Sequence, residues 1–322
     1  MPIKLGIVMD AIESINIKKD SSFAMLLEAQ NRQYDIYYIT MSDLFIENNQ
    51  AKASTRRLSV TDDAGHWFEF IDKSPEIIPL ASLDTILMRK DPPFDMEYIY
   101  ATYILEMAES SGTLVVNKPQ SLRDANEKLF THQFPDCTVP TLVSRNKHQF
   151  KHFLNQHKDI IVKPLGGMGG HSIFRIKDND PNFNVILETM TQHSSQYIMA
   201  QRFIPEISQG DKRILIINGV PVDYALARIP PEGETRGNLA AGGTGQGLAL
   251  SKRDYWLCEQ VAPKLKAMGL IFVGMDVIGD YITEINVTSP TCIRELDSLY
   301  QLNISALLMD AIEHLIAKKA ST

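Results

Sequence analysis

The first 122 residues alternate two kinds of apolar pattern, and this alternation restricts the fold more than any other feature of the chain. "IKLGIVMD" is a continuous apolar run of strand length that ends in an acid. After a polar stretch, "SFAMLLEAQNRQ" spaces Phe23, Leu26, Leu27 and Gln30 at helical intervals, with Asp20 to Ser22 as N-cap candidates. "YDIYYIT" reads as a second strand, and strand "DTILMR", helix "MEYIYATYILEMAESSG" and strand "TLVVNK" continue the series. Strands alternating with helices predict a parallel sheet covered on both faces. Residues 47 to 80 are polar and weakly periodic, an excursion with short β pieces.

From about residue 128 the texture changes. "TLVSRN", helix "HQFKHFLNQH", strand "DIIVKP", a glycine-rich stretch and strand "SIFRI" suggest a small α+β layer. Antiparallel hairpins then dominate: "KRILIINGVPVDYALARI" turns at Asn218-Gly219, the strongest short hairpin signal, and "IFVGMDVIGDYITEINV" turns around Gly279-Asp280. Between the hairpins, residues 230 to 247 carry many glycines and prolines and no apolar period. A structureless loop of that length inside a compact domain is usually functional, often a lid. The expected division is an α/β domain over 1–122, a central unit over 123–200 and a third over 201–322.

With 322 residues, 44% hydrophobic and 22% charged, the chain has material for two or three ordinary cores. A formal net charge of −7 argues against a nucleic-acid partner, which would call for a concentrated basic surface. Cys137, Cys258 and Cys292 are odd in number and far apart, so neither a disulfide framework nor a zinc site is expected. "MPIKLGIVMD" falls short of a secretory core, and no run approaches the roughly 18 apolar residues of a membrane span. The expectation is a cytoplasmic protein with no membrane partner.

Three constellations carry chemistry. In "IIVKPLGGMGGHSI" Lys163 closes an apolar strand before the glycines, so neither a Walker loop nor a dinucleotide fingerprint is present. A strand lysine beside such a turn can hold phosphate oxygens while unobstructed backbone N–H groups close over them; a glycine-rich surface hairpin fits the same residues. In "TEINVTSP" Glu284 and Asn286 sit two apart on one strand face, about 6.6 Å between Cα atoms, which with Asp276 suits Mg²⁺ beside phosphate; a half-exposed strand is the bland alternative. A regular two-residue turn at Gly279-Asp280 would pair Asp276 with Thr283 and turn it away from Glu284, so the metal reading requires a bulge or a three-residue loop. Arg213, Arg228 and Arg236 form the third set, able to stabilise charge on a transferred phosphoryl group or simply to be solvated.

In this order the pieces resemble the ATP-grasp superfamily: Lys128, Lys163 with its glycine loop, "MAQRFIP", the arginine hairpin, and Asp276 with "EIN". The resemblance is closer still to the bacterial glutathione synthetase family. "INIKKDSSFAMLLEAQ", "ILMRKDPPFD", "VNKPQSLRDANEKLF", "ARIPPEGETRGNLAAGG" and "TEINVTSPTCIRE" carry it across nearly the whole chain.

That resemblance implies an α/β substrate domain followed by an α+β ATP-grasp fold, and an ATP-dependent ligase joining γ-glutamylcysteine to glycine through an acyl phosphate. It implies Lys128, Lys163, Gly167, Gly169 and Gly170 at the ATP phosphates, Ala200 and Gln201 at the adenine edge through backbone groups, and Asp211 at the ribose. Asp276, Glu284 and Asn286 would carry Mg²⁺, with Mn²⁺ as a substitute. Arg213, Arg228 and Arg236 would be catalytic, the last arriving with the lid. Lys19, Arg89, Ser289, Thr291 and Glu295 would meet the dipeptide, Arg89 as a two-point fork on a carboxylate. Cys292 would be a packed thiol, and the assembly a homotetramer. A ligase of the same fold acting on another carboxylate, or an ATP-binding protein without turnover, are the alternatives.

Overall fold

The computed structural model describes residues 2–167, 169–234, 236–237 and 242–320. The amino-terminal portion contains β1 (Lys4–Val8), α1 (Ser21–Asn31), β2 (Asp35–Ile39), β3 (Leu44–Glu47), β4 (Gln50–Val60), β5 (Phe68–Phe70), β6 (Glu76–Pro79), β7 (Thr85–Met88), α2 (Met96–Ser110), β8 (Leu114–Val116) and α3 (Pro119–Asp124). Strands β2, β1, β7 and β8 are parallel neighbours, as their intervening helices require. The excursion is more regular than its sequence suggests: β4 runs for 11 residues, pairs antiparallel with β2, and carries β3, β5 and β6. Asp20 caps α1 by accepting from the Phe23 N–H at 2.6 Å.

A four-stranded antiparallel sheet follows, formed by β9 (Thr141–Ser144), β10 (Asp159–Pro164), β11 (Phe174–Lys177) and β12 (Ile198–Arg202) in the order β11-β10-β12-β9, with α4 (Lys147–His157) and α5 (Phe183–Met190). Its core of Phe150, Leu154, Ile160, Val162 and Ile198 is separate from those elsewhere. The third sheet contains β13 (Asp211–Ile217), β14 (Val220–Ile229), β15 (Thr244–Ala249), β16 (Phe272–Ile278) and β17 (Tyr281–Asn286), with α6 (Lys252–Ala267), α7 (Ile293–Tyr300) and α8 (Ile304–Ala320) around it. Both remaining cores mix residues of the first and third sheets, for example Leu5 with Leu215 and Met88 with Met275.

The stretch expected to be structureless to residue 247 ends earlier, because Thr244–Ala249 pairs with β14. "TGQGLA" carries no β-branched alternation; its place depends on packing, and a Cβ at Gly247 would meet the Tyr300 ring at 2.5 Å. The lid expectation at 230 to 244 falls partly outside the described residues, as does Met168 of the glycine loop. Among the described residues, no helix is long and apolar enough to cross a membrane.

Candidate active site

Three strands set the centre of the site. Across β13, β16 and β17, Arg213 pairs with Asp276, which pairs with Glu284, so the three side chains leave one face of the sheet in a row. The β16–β17 hairpin keeps Ile278 opposite Tyr281, but its register shifts beyond Val277. Thr283 is the extra residue, and this bulge is what returns Glu284 to the face of Asp276. On β14, Arg228 lies opposite Asp211. Gly274, two before Asp276, leaves room for the guanidinium stem: a Cβ there would lie 2.9 Å from Arg213 Cδ.

Arg213 grips Asp276 through two nitrogens, Nη2 donating at 2.8 Å. Arg228 Nη2 bridges Asp276 at 2.8 Å and Asp211 at 2.6 Å. Burial would raise Asp276, but Arg213 and Arg228 hold it well below the usual carboxylate range. For Asp211 burial wins, opposed by Arg228, and its pKa is raised to about 7. Asn286 donates its Nδ2 to Asp276 at 3.3 Å and to the Gly274 carbonyl, which leaves its amide oxygen as a potential ligand.

The lysines come from elsewhere in the chain. Lys128 Nζ donates to Glu127 and to the Gly167 carbonyl at 3.0 Å, and lies 3.7 Å from Glu284. Lys163 Nζ donates to the carbonyl of the bulged Thr283 at 3.2 Å and lies 3.5 Å from Glu284. Burial depresses Lys163 despite Glu284, whereas for Lys128 the carboxylates Glu284 and Glu127 outweigh burial and raise it. Burial would raise Glu284 as well, but Lys128 and Lys163 hold it low.

Two cavities meet here. The larger, about 240 Å³, is walled by Lys128, Gly167, Gly169, Gly170, Arg213, Arg228, Glu284, Asn286, Ser289, Thr291 and Cys292. The smaller, about 80 Å³, is walled by Lys163, Gln201, Asp211, Arg236 and a set of apolar side chains including Ile161, Ile173, Phe203, Ile204 and Ile278. Glu284 lines both. Gly169 and Gly170 have φ of 68° and 78°, the left-handed region that suits glycine.

Several expected residues are placed differently. Ala200 packs into the central core and walls neither cavity, while Gln201 is flanked by ladder partners Ile161 and Thr141. Both lie within an inner strand; Gln201 and the strand exit, Arg202 to Ile204, line the small cavity together. Arg236 is also on that cavity, ion-paired with Glu234, whereas Arg213 and Arg228 line the large one. Arg89 is buried with its fork partly used: Nε donates to Ser22 at 3.0 Å and Nη2 to the Pro290 carbonyl at 2.9 Å, leaving Nη1 without a partner. Two of the five N–H groups of the guanidinium are thus engaged within the protein, and its Nη1 end is what remains for a ligand. Lys19 is exposed, and its charge acts on Glu295, whose carboxyl burial raises and Lys19 lowers. Cys292 is packed, its thiol raised by burial against the pull of Arg213 and Arg228.

The apolar wall and Glu127 were missed in the sequence. Ile161 stands two before Lys163 and Ile278 two after Asp276, so strand parity already placed both on the site face. Glu127 adjoins Lys128 but belongs to no strand pattern.

Residues 3–123 match the model of the prokaryotic glutathione synthetase N-terminal domain, and residues 127–301 that of the prokaryotic glutathione synthetase ATP-grasp domain. The chain belongs to this family. It is an ATP-dependent ligase of the ATP-grasp type. The glutathione synthetase of Vibrio parahaemolyticus is 61% identical over 311 residues, covering 97% of this chain and 98% of that protein. That of Escherichia coli strain K12 has the same identity and coverage. The Salmonella typhimurium glutathione synthetase is 61% identical over 316 residues, 98% of this chain and all of that one. Beyond the glutathione synthetases the fold extends to D-cycloserine synthetase DcsG, with TM-score 0.66 and 12% identity over 97% of this chain and 99% of that chain. D-alanyl-alanine synthetase A from Vibrio cholerae aligns with TM-score 0.58 and 12% identity over 98% of this chain and 99% of the other.

Proposed function

We propose that the small cavity takes the adenosine end of ATP and the large one the γ-phosphate, γ-glutamylcysteine and glycine, with the phosphate chain passing Glu284. The observation that carries this is Glu284 itself, which lines both cavities within reach of two buried lysines. The activity is glutathione synthesis: ATP-dependent ligation of γ-glutamylcysteine with glycine. A carboxylate resists amine attack because its leaving group would be oxide. Phosphoryl transfer to the cysteinyl carboxylate, releasing ADP, gives an acyl phosphate; the glycine amine attacks its carbonyl carbon and phosphate departs.

Lys163 and Lys128 hold the ATP phosphates, the apolar wall sandwiches the purine, and Asp211 meets the ribose. Arg213 and Arg228 face the large cavity and stabilise charge on the reacting carbonyl. Arg236, on the nucleotide side, acts on ATP and not on the acyl centre. Ser289 and Thr291 meet the dipeptide directly; Arg89 supports their loop through Pro290 and offers one free nitrogen, while Lys19 and Glu295 stand further out.

The donor set fits Mg²⁺ or Mn²⁺: the Glu284 carboxylate and the Asn286 amide oxygen are hard ligands on the large cavity, and Asp276, opposite Glu284, would join them by yielding an oxygen now held by Arg213 or Arg228, while among the described residues no cluster of three His, Cys, Asp or Glu forms an all-protein cage. The ion held there would neutralise phosphate charge. We also place domain limits at 1–122, 123–200 and 201–322, a reading supported by the separate central core. A cytoplasmic homotetramer completes the proposal; light scattering tests the subunit number. The activity itself is tested by phosphate release from ATP with γ-glutamylcysteine and glycine supplied together and singly. Release is expected only with the dipeptide and an amine, and equal release without the dipeptide would refute the assignment.

A further inference from the structure

We infer that Glu127 is a positioning residue: it takes charge of the Lys128 ammonium so that Glu284 is left free for the divalent cation. This rests on the metal reading above. The four groups form a chain, Glu127–Lys128–Glu284–Lys163, in which one Glu284 oxygen stands 3.7 Å from Lys128 and 3.5 Å from Lys163. Both lysines are buried. A carboxylate that alone balanced two buried ammonium groups would be a poorer metal ligand, because both cations compete with the ion for its negative charge even though they stand beside the same oxygen. Glu127 removes half of that competition by holding Lys128 directly.

Glu127 is fixed for this task. Its backbone carbonyl accepts the Ile285 N–H at 2.8 Å, next to Glu284 on β17, so the carboxylate and the metal face share one frame. Its side chain lines the large cavity beside Lys128. Before ligands arrive the chain is balanced, two anions against two cations. When the metal claims Glu284, Lys163 keeps the Thr283 carbonyl and Lys128 keeps Glu127 and the Gly167 carbonyl, and both ammonium groups face the phosphates.

Removing the Glu127 charge has opposite effects on the two ligands. Glu127→Gln leaves the site one charge more positive, so ATP without metal binds more tightly. Lys128 then leans on Glu284, so the metal binds more weakly. Metal-free ATP binding is measured by calorimetry in chelator, and Mn²⁺ binding to the ATP complex by electron paramagnetic resonance of free Mn²⁺. The expected changes are roughly three- to ten-fold in each constant, of opposite sign. Glu127→Asp, whose shorter carboxylate reaches Lys128 less well, should give smaller changes of the same signs and is the fallback if the amide variant does not fold. A purely structural role would weaken both constants together; that result, or no change in either, overturns the inference. In parallel, Glu284→Gln should abolish most Mn²⁺ binding, and an unaltered Mn²⁺ affinity there would overturn the metal assignment itself and this inference with it.

Discussion

Arg213 and Arg228 show how much of this site is held by mutual neutralisation. Both are buried on Asp276, so cutting either one back leaves a buried carboxylate short of charge. Arg213→Met should lower turnover by about 100-fold or more while ATP affinity moves only a few-fold, and should cost about 3 kcal/mol in a denaturation experiment. Unchanged turnover would remove Arg213 from the chemistry. Arg89→Lys should raise the KM for γ-glutamylcysteine, since lysine cannot hold Ser22 and the Pro290 carbonyl together, and should leave ATP binding unaltered. A KM equal to that of the unmodified protein would mean that the Pro290 loop needs no such support. Asp297 gives a pH test. Burial raises it to about 6, against the Ile304 N–H that it accepts. Its folded pKa lies above the unfolded value near 3.9, so its contribution is present below that value and lost as pH rises through about 6. Asp297→Asn keeps an acceptor for Ile304 and should therefore raise Tm at about pH 7.5 and leave it nearly unchanged at about pH 4; a Tm gain of the same size at both would contradict the assignment.

At the scale of elements, the Thr283 bulge joins fold to function. Deleting Thr283 would let Val277 and Ile282, then Asp276 and Glu284, follow one unbroken ladder, but would remove the carbonyl that accepts from Lys163. The expected result is a protein that still folds and binds ATP about ten-fold more weakly; undiminished ATP binding would show that the carbonyl does not position Lys163. Asn117, at the end of β8, does comparable work between sheets. Its side chain accepts from the Ile271 and Phe272 N–H groups at 2.7 and 2.9 Å and donates to the Phe272 and Val287 carbonyls at 2.8 and 2.7 Å. Asn117→Leu strands four backbone groups and should cost about 3 kcal/mol or more by urea denaturation; a cost below about 1 kcal/mol would mean that water replaces the amide. The β1–α1–β2 alternation and the Asn218-Gly219 hairpin were legible because local pattern dictates them, with Asn218 and Gly219 at φ of 47° and 75°. Parity in "GMDVIGDYITEIN" showed that a register shift was needed for a metal site, though not that Thr283 would be the bulged residue. β15, the Asn117 latch and the fork of Arg89 were not legible, because their reasons lie in residues distant in sequence, such as Tyr300 over Gly247 and Pro290 beside Arg89.

For the whole molecule, the first and third sheets share two cores and form the base, while the central sheet has its own core and brings Lys163 and Ile161 over the site. The small cavity thus falls at the junction of the second and third sheets, and the large one, with Ser289 and Thr291, where the glycine loop of the central sheet meets the first and third. In the proposed reaction the phosphates would lie between the two lysines beside Glu284, and the carboxylate to be activated against the two arginines of the large cavity. The central claim is that this carboxylate is phosphorylated before the amine attacks. It is tested by supplying γ-glutamylcysteine with heavy oxygen in the cysteinyl carboxylate and analysing the inorganic phosphate by mass spectrometry. The account predicts one labelled oxygen in the phosphate for each glutathione formed; phosphate released without label, while glutathione accumulates, would contradict it.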